Sequence, residues 1–301
     1  MITVKLMGGL GNQLFQYAFG ASLAHKLNQE TLYDISWFIH ERTRSLKLNS
    51  LGLSLKYKTA GTIYAILKKS AIYCSARSKL IRSFKPLQKL EAVYDLKTAL
   101  FSSIVKEKDF NIERIENDKN YYFDGYWQNP EYFENIRDII LKSINFPEFQ
   151  NAQDFNLKKQ ICDSESVAIH IRRGDYVSDP WANQNLGTCS IEYYQKAVKL
   201  ILSKQSNTKF FLFTDDPDFV KTNFGFLPDV TLVSDNIRTD IDELNLLHLC
   251  KHFITANSSF SWWGAWLSQN PYKIIIAPEK WYKNAEADKN CKIVPENWVR
   301  L

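Results

Sequence analysis

The sequence predicts an α/β fold of two Rossmann-like halves built on parallel sheets. Short apolar, β-rich runs end in polar loops and each is followed by a helical pattern, the alternation from which parallel sheets are made. Four such junctions recur, one at the N-terminus and three after residue 160. Between them, Phe146-Pro147 to Gln160 is polar and without a clear period, which sets a boundary near residue 155 and gives halves over 1–155 and 156–301. Ligands of open parallel sheets bind beyond the carboxyl ends of the strands, so the junction loops are expected to converge on a central cleft.

The first junction is a strand Ile2 to Leu6, the loop Met7-Gly8-Gly9-Leu10-Gly11-Asn12, and a helix with Leu14, Ala18, Ala21 and Leu27 on one face. Leu14 occupies the third glycine position of a dinucleotide fingerprint, which argues against a nicotinamide cofactor. Gly9 and Gly11 let a ligand approach the backbone, and Asn12 and Gln13 can bind sugar hydroxyls; the alternative is a tight turn with Asn12 as helix N-cap. Asp124-Gly125-Tyr126-Trp127-Gln128 follows an aromatic run and reads as another strand end, with Trp127 either stacking on an acceptor sugar or packing in the core.

At the second junction, Val167, Ile169 and Ile171 alternate into one layer and His170 and Arg172 into the other, before Arg173-Gly174-Asp175. Two guanidiniums at a strand end suit a diphosphate: the planar fork donates paired hydrogen bonds and stays charged. Loss of a nucleoside diphosphate leaves added charge on the β-phosphate, so such a clamp favours the transition state over the ground state. The plain alternative is a pair of salt bridges at a sheet edge. At the third junction, Asp215 and Asp216 precede Pro217. One carboxylate can accept from guanine or ribose, while Asp216 also fits as a helix cap. At the fourth, Asn257, Ser258, Ser259 and Ser261 start a helix whose N–H groups and dipole form an anion site, although a serine there can simply cap the helix. Trp262, Trp263 and Trp266 read as packing residues rather than a sugar platform.

Composition narrows the classes. Five scattered cysteines lack a C-x-x-C pair, so neither a disulfide framework nor a zinc cage is indicated and a reducing compartment is expected. No window is long and apolar enough to span a bilayer. From Arg42 to Lys89 there are twelve Lys or Arg and no Asp or Glu, so the remainder of the chain is net negative despite an overall +5. That segment reads as an inserted basic helical region at about 42–90, suited to an anionic membrane surface or simply to solvent. Asp240-Ile241-Asp242 has the D-x-D form that binds a metal under a nucleotide sugar, but Thr239-Asp240 followed by Glu243 reads as a capped helix start. The histidines lack metal-ligand spacing, and no metal or cofactor is expected.

Together, Gly8 to Gln13, His170 to Tyr176, Thr214-Asp215-Asp216-Pro217 and Ser258-Ser259-Phe260-Ser261-Trp262-Trp263-Gly264-Ala265-Trp266 resemble the galactoside α-1,2-fucosyltransferase family in its bacterial branch, from the first strand to about Leu267. The resemblance implies a GT-B-like fold, a GDP-β-L-fucose donor, inversion at the anomeric carbon and no metal. It implies that Arg172 and Arg173 hold the diphosphate, that His170 and Asp216 approach the guanine nucleoside, that Ser258 and Ser259 cradle the β-phosphate, and that Asp215, Asn257 and Phe260 also bind the donor. Asn12, with Gly9, Gly11 and Gln13, would then face the fucose and a galactose-terminated acceptor, near Asp124 and Trp127. Eukaryotic relatives carry an N-terminal membrane helix, so its absence suggests a cytoplasmic enzyme decorating lipid-linked surface polysaccharide precursors. Asp175 is the first candidate for the base that takes the acceptor proton, or else orients Arg173; Asp124 and Glu192 stand in reserve. The rivals are a metal-dependent transferase using Asp240 and Asp242, and a basic nucleic-acid or membrane-surface binder.

Overall fold

The computed structural model describes residues 1–39, 41, 43–58, 103–234 and 238–301. Arg42 and most of the basic region expected over 42–90 lie outside them. Its described stretch, 43–58, holds a 3-10 turn at Leu48–Leu51 and an edge strand, β3 (Lys56–Lys58). The chain divides into two compact units. One comprises the described residues of Met1–Asn49 and Ser54–Ile140, the other Ser50–Leu53 and Leu141–Leu301. The chain thus passes between units at Ile140, ahead of the polar stretch on which the sequence boundary was drawn. That stretch contains a helix, Ala152–Asp163, whose Leu157 and Ile161 are buried within the second unit.

The first unit is a five-stranded parallel sheet in the order β3-β2-β1-β5-β4, with β1 Ile2–Lys5, β2 Thr31–Asp34, β4 Ser103–Lys106 and β5 Tyr121–Asp124. Ile2 pairs with Thr31 on one side and Tyr121 on the other, which buries β1 at the centre. Helix α1 (Leu10–Leu27) follows β1 directly. It is buried on nearly all sides in its first half, where Leu14, Phe15, Ala18 and Phe19 are within 1% of full burial. The single apolar face read from the sequence is therefore part of a wider contact. Asn28, in the left-handed region at φ 48°, ends the helix by donating its N–H to Ala24 O.

The second unit is a six-stranded parallel sheet in the order β11-β10-β9-β6-β7-β8. Its strands are β6 Glu165–Ile171, β7 Thr208–Thr214, β8 Val230–Leu232, β9 His252–Ile254, β10 Ile275–Ala277 and β11 Val299–Arg300. The chain moves outward from β6 through β7 to β8, then returns to the far side of β6 and moves outward again. The order reverses between β6 and β9, the crevice where doubly wound sheets bind ligands. Val167, Ile169 and Ile171 share one core cluster with Tyr194, Ala197, Val198 and Ile201 of a helix over Ile191–Lys204, as the alternation required. Each such fully buried side chain contributes roughly 1.5–3 kcal/mol.

The helix after β9, Ser259–Leu267, buries Trp262 and Trp263 completely and Trp266 almost so, which makes the three tryptophans core residues. Trp262 Nε1 donates to Ile293 O at 2.7 Å. A Cβ on Gly264 would lie 1.5 Å from Leu247 Cδ2, so glycine is what allows this helix to pack against the one over Asp240–Leu247.

Candidate active site

Within the second unit, the loop leaving β6 carries both arginines. Arg172 bridges two carboxylates, Nη2 to Asp175 Oδ1 at 2.6 Å and Nη1 to Asp215 Oδ2 at 2.8 Å. Arg173 donates its main-chain N–H to Asp215 Oδ1 at 2.8 Å and Nε to Asp216 Oδ2 at 3.0 Å. Its guanidinium also lies 3.6 Å over the Phe219 ring, a cation–π contact that fixes its plane. Asp215 thus ties both arginines to the end of β7. A side chain at Gly174 would meet its Oδ2 at 2.6 Å, so the turn requires glycine there. The guanidinium forks have more N–H donors than these partners occupy, and each side chain is 23% exposed, so both can reach a ligand. The expected link from Asp175 to Arg173 is replaced by one to Arg172.

Asp216 combines two roles. It N-caps the helix Pro217–Asn223, its Oδ1 accepting from Phe219 N at 3.1 Å, while its other oxygen holds Arg173. The D-x-D aspartates belong to a helix start: Asp242 and Thr239 form a reciprocal capping box, Asp242 N donating to Thr239 Oγ1 and Thr239 N to Asp242 Oδ2, both at 3.2 Å. Among the described residues no cluster of His, Cys, Asp or Glu could hold a metal.

The serine turn after β9 stands beside β6. Ser258 occupies the N-cap position of the Ser259–Leu267 helix in extended conformation, yet its hydroxyl makes no capping hydrogen bond. The first turn of such a helix leaves N–H groups without intrahelical acceptors, an arrangement that with the hydroxyl can receive an anion. Tyr176, three residues beyond Arg173, donates its hydroxyl to Asn257 O at 3.2 Å and underlies Arg172 at 5.5 Å. This joins the arginine loop to the serine turn, and burial pushes the Tyr176 phenol up to about 12, so it stays a donor. The Asn257 side chain is buried and structural: Nδ2 donates to the carbonyls of Leu186, Gly187 and Trp281, each at 3.1 Å.

His170 is buried on the opposite face of β6 from Ile169, with its ring 5.6 Å from that of Phe260. Burial, opposed by the Asp215 charge and reinforced by Arg172, lowers its pKa to about 4, so the imidazole is neutral at physiological pH. Its Nδ1 is buried without a hydrogen-bond partner, a polar atom for which a bound ligand would supply one.

In the first unit, Gly8 adopts φ +81°, and a Cβ there would lie 2.6 Å from Asn12 Nδ2, so this turn also depends on glycine. Gly9, not Asn12, is the N-cap of α1; Gly11 is buried inside the helix. Gln13 is fully buried, giving Nε2 to Gly8 O and Ser45 O and accepting from Lys47 N, all at 2.9 Å. Its amide therefore holds the 45–47 loop rather than facing solvent. Asn12 is half-buried, its Oδ1 accepting from Gln128 Nε2 at 2.8 Å.

Trp127, expected either to stack on a sugar or to pack in the core, does the latter: it is 0% exposed and lies 3.9 Å from the Phe19 ring in a parallel stack. Asp124 is tied to Lys5 at 3.2 Å and to Lys106. Burial alone would raise its pKa, but the two ammonium groups hold it below the ordinary carboxylate range. Glu192 is exposed at the start of its own helix, and hydrogen bonds from its own main chain and Ser190 hold its pKa low. Neither reserve suits a base.

Glu107 was missed by sequence reasoning. Its carboxylate accepts from the main-chain N–H groups of Tyr126, Trp127 and Gln128 at 3.0, 2.8 and 2.9 Å. Burial pushes its pKa up and these three donors pull the other way. The loop it gathers holds Trp127 at φ 58° and presents Gln128 to Asn12. No local pattern signals this, because the partners are main-chain groups far along the chain. Phe219 was legible in principle, three residues after the capping Asp216.

The sequence model of glycosyl transferase family 11 matches residues 1–301. The chain is similar to an α-1,2-colitosyltransferase of Escherichia coli, with 32% identity over 100% of this chain and 99% of that one. It is similar to the O-antigen biosynthesis glycosyltransferase WbnK of Escherichia coli at 28% identity, over 98% and 99% of the two chains. A galactoside 2-α-L-fucosyltransferase of Caenorhabditis elegans is 26% identical, over 100% of this chain and 79% of that one. Among solved structures, the NodZ α-1,6-fucosyltransferase soaked with GDP-fucose is similar with a TM-score of 0.52 and 16% identity, over 91% of this chain and 94% of that one. That likeness shows the fold, an α/β architecture of GT-B type.

Proposed function

The chain belongs to glycosyl transferase family 11, and from that premise we propose that it transfers L-fucose from GDP-β-L-fucose to the 2-hydroxyl of a terminal galactose, with inversion and without a metal. The observation that carries this reading is the pair Arg172 and Arg173, held by carboxylates at the end of a central strand beside the Ser258 turn, at the point where strand order reverses. The acceptor hydroxyl oxygen attacks the anomeric carbon and releases its proton to solvent water, the bond from that carbon to the β-phosphate oxygen breaks, and its electron pair leaves with GDP. The arginine forks and the helix N-terminus stabilise the charge that develops there. His170, neutral and with Nδ1 unpaired, supplies a hydrogen bond to the nucleoside.

Of the carboxylates considered for the base, Asp175 alone sits beside the clamp, and its bond to Arg172 favours positioning of the guanidinium as its role. The metal-free reading is supported by the commitment of Asp242 to a helix cap. The relatives support action on O-antigen-type glycans, and with it a cytoplasmic enzyme meeting a lipid-linked acceptor at the membrane face. Among the described residues no helix is long and apolar enough to cross a membrane.

A second donor has a specific observation in its favour: the colitosyltransferase is more similar to this chain than is the nematode fucosyltransferase. One experiment addresses both. GDP release is measured with GDP-fucose and with GDP-colitose against galactose-terminated acceptors in EDTA, followed by linkage analysis of the product. Turnover with GDP-fucose in EDTA to an α-1,2 product is expected. Turnover with GDP-colitose alone, or its abolition by EDTA, would replace the corresponding part of the reading.

A further inference from the structure

The carboxyl edge of the second sheet carries a second concavity that the arginine clamp does not use. The chain leaving Arg173 forms two short helices, Gly174–Ser178 and Pro180–Asn185, and the chain leaving β10 runs through Tyr282 to a helix at Ala285–Lys289. Main-chain hydrogen bonds zip the two segments together, Lys283 N to Leu186 O at 3.2 Å and Asn284 N to Asn185 O at 3.1 Å. The Asn284 amide donates to Asn185 Oδ1 at 3.4 Å, and Asn257 fastens the same loop to the serine turn through Leu186 and Gly187. Between the segments opens a cavity of about 330 Å³, lined by Trp181, Asn185, Tyr282, Asn284, Glu286 and Asn290 among others. The main chain on either side of it is thereby held together.

The lining has a definite chemical character. Trp181 is 66% exposed, although a ring of this size is ordinarily covered. Leu186, Ala287, three amides and one carboxylate surround the two aromatic side chains, and among the described residues no lysine or arginine contributes. A phosphate or other anion would meet Glu286 and no cation. A hexopyranose presents an apolar C–H face and a rim of hydroxyls. A flat aromatic ring takes the first, and the Glu286 carboxylate and the Asn290 carbonyl oxygen take the second, the Asn185 and Asn284 amides being engaged with Trp181 O, with each other and with the main-chain N–H groups of Glu286 and Ala287. Asn290 Nδ2 is held by Glu286 O at 3.1 Å, which orients its carbonyl oxygen as an acceptor.

We infer that this cavity is a carbohydrate subsite that binds a ring of the acceptor glycan other than the one that reacts. It shares no lining residue with the clamp, yet it is built on the chain that leaves Arg173 and is tied by Asn257 to the turn carrying Ser258. An oligosaccharide acceptor is thereby distinguished from a single sugar by contacts that leave the reacting groups untouched.

The inference rests on the reading of the chain as a transferase to a galactose-terminated glycan. The test compares Trp181→Ala with the unsubstituted protein using methyl β-galactoside, a single ring, and a galactose-terminated tetrasaccharide as acceptors, with GDP-fucose as donor. KM for the tetrasaccharide should rise about tenfold, equivalent to roughly 1.4 kcal/mol. KM for methyl β-galactoside, kcat and the KM for GDP-fucose should stay unchanged. Because Trp181 is largely exposed, its thermal midpoint should also be unchanged. Equal KM shifts for the two acceptors, or none for either, would overturn the subsite while leaving fucosyl transfer standing. If neither acceptor is fucosylated by the unsubstituted protein, that failure belongs to the proposed function, and saturation-transfer NMR with the same tetrasaccharide decides the subsite by itself. Transfer lost on Trp181→Ala then supports it. Transfer retained in the variant, or absent from the unsubstituted protein, overturns it.

Discussion

Replacing Arg172 by alanine removes more than a ligand contact. The guanidinium bridges Asp175 at 2.6 Å and Asp215 at 2.8 Å, so its loss releases two carboxylates beside the place proposed for a diphosphate. A charge-assisted hydrogen bond contributes about 1.5–3 kcal/mol, or roughly 10- to 150-fold in an equilibrium or rate constant. The repulsion from the freed carboxylates adds to this. GDP affinity by calorimetry and kcat/KM by GDP release should therefore both fall at least about tenfold. The same geometry makes a second, sharper statement. If Asp175 serves mainly to hold Arg172, then Asp175→Asn alone should cost less than Arg172→Ala, and Arg172→Ala with Asp175→Asn should bind GDP better than Arg172→Ala alone, because one released charge has been removed. A loss below tenfold for Arg172→Ala would refute the clamp. A double variant no better than the single, together with loss of the acidic limb from the pH–rate profile of Asp175→Asn, would return the base role to Asp175.

Gly264→Val should destabilise the protein by about 2 kcal/mol, because overpacking against Leu247 outweighs the better helix propensity of valine; an unchanged thermal midpoint would contradict the close packing. Glu107→Ala strands three main-chain donors and should cost about 2 kcal/mol while speeding amide exchange at Tyr126 to Gln128, with Glu107→Gln recovering part of the loss; unaltered exchange would dismiss its role in holding the loop. His170 and His248 are both held neutral by burial, with pKa values of about 4. Since these lie below the unfolded value of about 6.5, the folded state binds fewer protons between the two, and stability is present above pH ~6.5 and lost as pH falls toward 4. Unfolding free energies from denaturant titration should fall across that window by an amount on the order of a few kcal/mol, and a flat profile would show that neither ring is held neutral by the fold.

Much of the second unit was legible because its signals are local. The runs read as strands at 166–171, 209–213 and 252–255 are rich in apolar residues, as strands covered by helices must be, and their ends agree with β6, β7 and β9 to about one residue. The run His170 to Asp175 carried its chemistry in residue types that strand alternation alone could orient. Residues whose roles depend on distant chain were not legible. Gln13 looked like a ligand-facing amide and is instead buried against a loop more than thirty residues away, between Ser45 and Lys47. Trp127 had two readings from its flat apolar surface, and only the position of Phe19 decides between them.

By itself the sequence determined the alternation of strands and helices, the two guanidiniums at a strand end, the capped start at Thr239 and the glycine turns, because each follows from periodicity or from the chemistry of adjacent residues. Tertiary structure alone decided that strand order reverses between β6 and β9, that Asp215 joins both arginines, that Asn257 fastens the loop at Leu186, and that Trp181 stands exposed above a cavity. The physical reason is common to all four. Their partners are brought together by the crossover order of a parallel sheet, and a hydrogen bond or ion pair across forty or seventy residues leaves no trace in local spacing.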